Sequence, residues 1–330
     1  MTGTIKERAL ELTAKVNALR SQLAAQVIGQ EPLIDDMLVG VLAGGHILLE
    51  GLPGLGKTLL VRSLSRGLGL DFSRIQCTPD LMPTDVTGTQ ILDEAEGRRS
   101  FRFQRGPVFA GLVLADEINR ATPKTQSALL EAMQERTVTV GGTTHALPDP
   151  FHVIATQNPI ELEGTFPLPE AQLDRFLFRL DVKTPSREAM ARILGATTAG
   201  AGPDAAEHLS HLELRELQTI VREVLCGTHL LDHVACLVLA THPEAEGADE
   251  PTKRFVRYGA SARAGQAIIL GAKARALLAG RPSIIRDDIE ACALPALRHR
   301  VLFGFEAEAE RIEVSDLYPG WRSQAERNAG

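Results

Sequence analysis

The sequence predicts an α/β protein: a parallel five-stranded sheet between helices, with β-hairpin insertions, followed by a small all-α domain. Three observations predict it. Short apolar runs alternate with helical periodicity over the first two-thirds of the chain, the pattern of a parallel sheet covered by helices. One apolar run leads directly into a glycine-rich turn and a helix. Beyond residues 184–187 the pattern is helical, with amphipathic stretches over 212–225, 229–241, 262–279 and 286–300.

Residues 1–20 read as a polar amphipathic helix, without the apolar centre of a signal peptide. The expected strands are 47–50, 72–76, 112–115, 153–156 and 176–180. Two stretches interrupt the α/β alternation. Residues 90–103 alternate around Glu96-Gly97, and residues 137–146 around Gly141-Gly142, so each reads as a β-hairpin. The Gly-, Ala- and Pro-rich stretch 196–207 reads as a surface loop or linker. The expected division is an N-terminal helix (1–22), an α/β core (23–185) and a helical domain (186–330).

Bulk properties narrow the function classes. The net charge of −7 and an aromatic content of 4% argue against a nucleic-acid surface, which needs cations and stacking platforms. No apolar run approaches the ~20 residues of a membrane span. Cys77, Cys226, Cys236 and Cys292 are scattered with no C-x-x-C pair, as expected of a reduced, cytoplasmic protein. The histidines show no zinc spacing, and His233 and His242 read as structural.

The chemistry begins at Gly51-Leu52-Pro53-Gly54-Leu55-Gly56-Lys57-Thr58, which fits G-x-x-x-x-G-K-[ST] at every fixed position. The apolar run before it and Leu59-Leu60-Val61 after it supply the required strand and helix. Such a loop points several backbone N–H groups at one phosphate, and the helix N-terminus adds positive potential there. Gly51, Pro53, Gly54, Leu55, Gly56, Lys57, Thr58 and Leu59 are therefore the expected contacts to a nucleoside triphosphate. Lys57 would reach the β and γ phosphates, and the Thr58 hydroxyl would bind Mg²⁺.

The run 112–115 ends in Asp116-Glu117. A parallel strand brings its carboxyl end beside the phosphate loop. Asp116 then suits a Mg²⁺ ligand, and Glu117, pointing elsewhere, suits a general base for the attacking water. Asn158, after the strand 153–156, could bond the γ-phosphate or that water, although by itself Asn158-Pro159 reads first as a turn. Arg175 could be an arginine finger; by itself it reads first as the partner of Asp174 or another acid.

Taken together, these pieces resemble the AAA+ ATPases, and within them the MoxR family. Residues 115–120 (Ala-Asp-Glu-Ile-Asn-Arg), 123–135, 155–159, 167–176 (Pro-Leu-Pro-Glu-Ala-Gln-Leu-Asp-Arg-Phe) and 258–263 (Tyr-Gly-Ala-Ser-Ala-Arg) carry the likeness, which runs from about Val27 to about Phe305. The resemblance implies an AAA+ core with a helical lid. It implies that Ile28, Gly29 and Gln30 contact the adenine and that Asn158 is the polar sensor. It gives Arg175 the role of a finger reaching the neighbouring subunit's site, and Arg263 that of the lid arginine sensing the γ-phosphate. Arg120 is a second candidate for acting across the interface. Both hairpins match insertions of the helix-2-insert clade, which in relatives face the ring pore or a partner.

The same resemblance implies a Mg²⁺-dependent ATPase in a homo-oligomeric ring, expected to be a hexamer, remodelling or maturing a client protein. A partner with a von Willebrand factor A domain is implied by the family alone. Alternatives are a metal-insertion motor like the more distantly similar magnesium chelatase ATPase subunit, a DNA-directed AAA+ motor, or a small-molecule kinase. The last leaves Arg175, Arg263 and the hairpins without a purpose. The sequence departs from the family at Ala262 and Arg105, where proline is usual or frequent.

Overall fold

The structure is a computed structural model and describes residues 3–95, 98–159, 164–198, 206 and 208–328. Its centre is a five-stranded parallel sheet made of β1 (Ile47–Glu50), β2 (Phe72–Gln76), β5 (Leu112–Asp116), β8 (His152–Gln157) and β9 (Phe178–Asp181). The spatial order is β2-β5-β8-β1-β9. Two antiparallel hairpins stand outside it: β3 (Gly88–Ala95) with β4 (Arg98–Arg105), and β6 (Thr137–Val140) with β7 (Thr143–Ala146).

Strand periodicity explains the layers. Alternate residues of a strand point to opposite faces. Ile47 and Leu49, Leu112 and Leu114, and Ile154 enter one core; Leu48, Val113 and Ala115, and Val153 and Ala155 enter the other. Strands apolar on both faces need cover on both, which parallel crossovers provide. The first core continues into the helices Gly3–Gln26, Glu31–Leu42 and Lys57–Gly67 and onward into the C-terminal helices. The second is closed by the helix Pro123–Glu135 through Leu129, Leu130 and Met133.

The C-terminal region packs the helices His211–Glu223, Thr228–Ala240, Ala262–Leu278, Arg286–Leu297 and Val314–Asn328. Its core is alanine-rich, with Ala264, Ala267, Ala272, Ala293 and Ala296 at 2% exposure or less, so these helices approach closely. A short antiparallel pair, β10 (Val256–Tyr258) and β11 (Leu302–Phe303), joins two of its turns.

Some expectations shift. The N-terminal helix runs Gly3–Gln26, and its buried stripe of Leu12, Val16, Leu19 and Leu23 makes it a core element. The strand expected over 176–180 forms as Phe178–Asp181, because the Phe176 carbonyl accepts from His299 and Arg300 instead of a strand. The helix Arg187–Thr198 reaches into the expected linker, whose remaining residues lie largely outside the described ones. The second hairpin turns at Gly141-Gly142, both with positive φ. The turn expected at Glu96-Gly97 lies outside the described residues. Arg105, at the foot of the first hairpin, stacks its guanidinium over the Phe109 ring at 5.4 Å, which accounts for a cation there.

Two histidines tie the sheet to its helices. His46 Nε2 donates to the Met133 carbonyl (3.2 Å), and its Nδ1 accepts from the Val153 amide (2.9 Å). His152 Nδ1 donates to the Gly45 carbonyl (2.9 Å), and its Nε2 accepts from the Gln218 side chain (3.0 Å). Each ring is thus satisfied only when neutral. Burial lowers their pKa values from 6.5 to about 3 for His46 and about 4 for His152. Because both are depressed, the stability they contribute is present above pH 6.5 and is lost as the pH falls toward the folded values. Asp36, raised to about 6 by burial, has the opposite sign between its ordinary value and 6. Thermal unfolding between pH 7.5 and 4.5 should therefore show a falling Tm, and His152→Gln should flatten the fall. An equally steep profile in that variant would contradict the assignment.

Candidate active site

Strand register gathers the predicted site. Glu50 pairs with Gln157, Ala115 with Ala155, and Gln76 with Asp116, so the carboxyl ends of four strands share one edge. The residues that come next, Gly51, Glu117 and Asn158, must then converge there, as ligand-binding loops of open α/β sheets do. A cleft of about 430 Å³ opens at this edge, lined by Pro53, Gly54, Gly56, Lys57, Thr58, Leu59, Arg74, Asp116, Glu117 and Asn158.

The phosphate loop takes its shape from its glycines. Gly54 and Gly56 sit at φ 79° and 78°, a region costly for residues with a Cβ. Gly51 is required for a different reason: a Cβ there would lie 2.8 Å from the Val182 backbone oxygen. Gly56 precedes the helix Lys57–Gly67, whose first residues, Lys57, Thr58 and Leu59, line the cleft, so its positive end faces it. Lys57 Nζ donates to the Gly51 carbonyl at 2.6 Å, which folds it back over the loop.

The two acids are fixed by one hydroxyl. Thr156 Oγ1 donates to Asp116 Oδ1 at 2.6 Å and accepts the Glu117 N–H at 2.8 Å. The other Asp116 oxygen receives Arg74 Nη2 at 2.7 Å. Glu117 adopts a left-handed backbone (φ 58°, ψ 51°), strain of roughly 1–2 kcal/mol. Its Oε2 accepts from Gln76 Nε2 and Arg120 Nη1, each at 3.1 Å. Arg120, a sequence candidate for the interface, is thus paired within its own subunit. Below the acids, burial, with Asp116 and Glu117 nearby, pushes the Cys77 thiol up to about 12, so it carries no thiolate chemistry.

These groups fit a nucleotide with Mg²⁺. Asp116 and the Thr58 hydroxyl offer the hard oxygen donors this ion prefers, beside a loop of N–H donors suited to phosphate. Asn158, 5% exposed, lines the same cleft.

Other predicted residues lie apart from it. Gln30 Nε2 donates to the Lys183 carbonyl at 2.7 Å, and a Cβ on Gly29 would meet Ala189 at 2.8 Å. This places Ile28-Gly29-Gln30 where the core meets the helix Arg187–Thr198. Arg175 and Arg263 line a separate cleft of about 240 Å³ with Asp174, Gln266 and Arg300. Asp174 pairs with Arg263 (3.6 Å) and Arg300 (2.7 Å), and Arg175 forms no ion pair among the described residues. Ser261 caps the helix Ala262–Leu278 by accepting from the Arg263 N–H at 3.2 Å, so the helix starts without the usual proline at Ala262.

Sequence reasoning missed Thr156, Arg74, Gln76 and Arg300. Only strand register, which places Thr156 beside Asp116 and Gln76 beside it on the other strand, reveals the first three.

A phosphate loop at the switch of a parallel β2-β5-β8-β1-β9 sheet, followed by a helical lid, defines an AAA+ ATPase fold. Residues 46–178 match the profile of the ATPase family associated with various cellular activities (AAA), and residues 249–319 match the AAA lid domain. The chain is 46% identical over 308 residues to "Chaperone MoxR1" of Mycobacterium tuberculosis, covering 91% of this chain and 80% of that protein. It is 33% identical over 320 residues to "Protein MoxR" of Paracoccus denitrificans, covering 90% and 91%. A crystal structure of a candidate ATPase from Cytophaga hutchinsonii superposes with a TM-score of 0.90 at 38% identity, covering 97% of each chain. The chain belongs to the MoxR family of AAA+ ATPases.

Proposed function

We propose that this chain hydrolyses ATP with Mg²⁺ at a site shared between two copies in a ring, a hexamer by family resemblance, and uses the cycle to remodel or mature a client protein. One observation carries the shared site. Lys57, Thr58, Asp116, Glu117 and Asn158 line one cleft, while Arg175 and Arg263 line another, so both arginines are available to a neighbouring copy.

In this reading the loop N–H groups and Lys57 bind the triphosphate, Lys57 exchanging the Gly51 carbonyl for phosphate oxygens. Thr58 and Asp116 would hold Mg²⁺, which would supply positive charge to offset that of the triphosphate. Asn158 orients the attacking water, and the Glu117 carboxylate takes its proton. The neighbour's Arg175 stabilises charge on the phosphoryl group in flight, and Arg263 senses that group. Ile28, Gly29 and Gln30 flank the adenine. The proposed division is 1–22, 23–185 and 186–330, with the last part as lid. Among the described residues no helix is long and apolar enough to cross a membrane. A cytoplasmic setting is adopted from the scattered cysteines, a von Willebrand factor A domain partner from the family resemblance, and the chaperone role from that resemblance and the name of a relative.

The test is the ATPase rate per subunit against protein concentration, with Mg²⁺ present. A rate that climbs and saturates is expected. A constant rate at dilutions where sizing shows monomers would contradict the shared site.

A further inference from the structure

The buried guanidinium of Arg300 lies behind Arg175, and neither the sequence motifs nor the phosphate-loop cleft involve it. Its side chain is 3% exposed and sits among five acceptors. Nε donates to Asp174 Oδ1 at 2.7 Å. Nη1 donates to the carbonyls of Ala296 (2.6 Å) and Leu177 (3.1 Å). Nη2 donates to the carbonyls of Phe176 (2.6 Å) and Asp174 (3.0 Å). The neighbouring His299 adds an Nε2 donor to the Phe176 carbonyl at 3.0 Å. The carbonyls on both sides of Arg175, those of residues 174 and 176, are therefore held by one side chain.

Asp174 extends this grip to the lid. The carboxylate that pairs with Arg300 also lies 3.6 Å from Arg263 Nη1 and accepts from Ser261 Oγ at 3.3 Å. Ser261 is in turn the cap of the helix that carries Arg263. One half-buried ion pair thus ties the backbone on both sides of Arg175 to Arg263, which comes from a different part of the chain. A buried arginine is costly unless paired and fully hydrogen-bonded. Here burial lowers its pKa and Asp174 opposes that. Such a pair adds little net stability over an apolar replacement, yet removing one partner is costly because the other charge is left unpaired.

We propose that Arg300 is a positioning residue for hydrolysis: through its ion pair with Asp174 it fixes Arg175 and Arg263 as one two-arginine surface presented to the nucleotide of a second copy. This rests on the shared-site reading above. Arg300 acts on the neighbour's turnover and leaves its own subunit's nucleotide cleft alone. Misplacing a positioned group by about 1 Å can cost up to about 10²-fold in rate.

The test uses mixed rings of two full-length variants. Lys57→Ala subunits supply arginines but no nucleotide site; Arg175→Ala subunits supply a nucleotide site but no finger. Asp174→Asn, which keeps the side chain's shape, is added to one partner at a time, and Arg300→Lys serves as a second variant. On the Lys57→Ala partner, either change should lower the restored rate about 10- to 100-fold with KM for ATP unchanged. On the Arg175→Ala partner, Asp174→Asn should leave the restored rate within about twofold, a contrast that a general folding defect would not produce. Equal loss on both partners, or no loss on the Lys57→Ala partner, overturns the proposal while leaving the shared site standing. No restoration by the parent mixture removes the shared site, and the proposal with it.

Discussion

Glu117→Gln is expected to bind ATP with near-native affinity and to hydrolyse it at least about 10²-fold more slowly, the scale of losing a general base. The amide keeps the acceptor that meets Gln76 and Arg120 but cannot take a proton from water. The left-handed backbone of residue 117 and its N–H bond to Thr156 do not depend on the carboxylate, so the cleft keeps its shape. Binding of a fluorescent ATP analogue beside phosphate release separates the two effects. Unimpaired turnover would remove Glu117 from the role of base, and lost binding would show that it shapes the cleft instead.

Arg175→Ala should be the larger effect on turnover. A finger supplied in trans is worth about 10³–10⁵ in rate, because it meets charge that develops only in the transition state. ATP affinity in the same variant should change little, since Arg175 does not line the phosphate-loop cleft. This split between turnover and binding is what distinguishes a finger from a structural cation. The structure already disfavours the simplest structural role, because Asp174 spends its charge on Arg300 and Arg263. Measuring phosphate release and nucleotide affinity on the purified variant checks both halves.

The parts legible in the sequence were those written in short-range pattern. Apolar runs located four of the five sheet strands within a residue or two, and the phosphate loop announced itself by fixed spacing. Gly141-Gly142 marked a real turn because both residues take positive φ. The edge strand slipped by two residues because a distant arginine competes for its first carbonyl, a contact 124 residues away in sequence. The C-terminal helix Val314–Asn328 was missed because Pro319 and a polar composition hide the stripe of Val314, Leu317, Trp321 and Ala325.

The candidate site divides in the same way. Lys57, Thr58, Asp116, Glu117 and Asn158 were found because each comes after a recognisable strand or loop, and register then brings them to one cleft. Thr156 was legible only as part of a strand, since no spacing rule links it to Asp116; adjacency in the sheet does. Arg120 looked available for an interface, yet three residues on a tight helical turn bring it back to Glu117. The separation of Arg175 and Arg263 from the phosphate loop is a property of the tertiary fold, and it is what turns a motif into a statement about assembly.

The central claim is that one nucleotide site draws groups from two copies, and mixing two inactive variants tests it most directly. Lys57→Ala lacks the phosphate-binding half, and Arg175→Ala lacks the finger. Each alone should be nearly inactive. Mixed across a range of ratios, they should recover activity that peaks at intermediate composition, because an Arg175→Ala site beside a Lys57→Ala neighbour is complete. Rates that stay at the sum of the two separate variants at every ratio, with sizing showing mixed assemblies, would contradict the account.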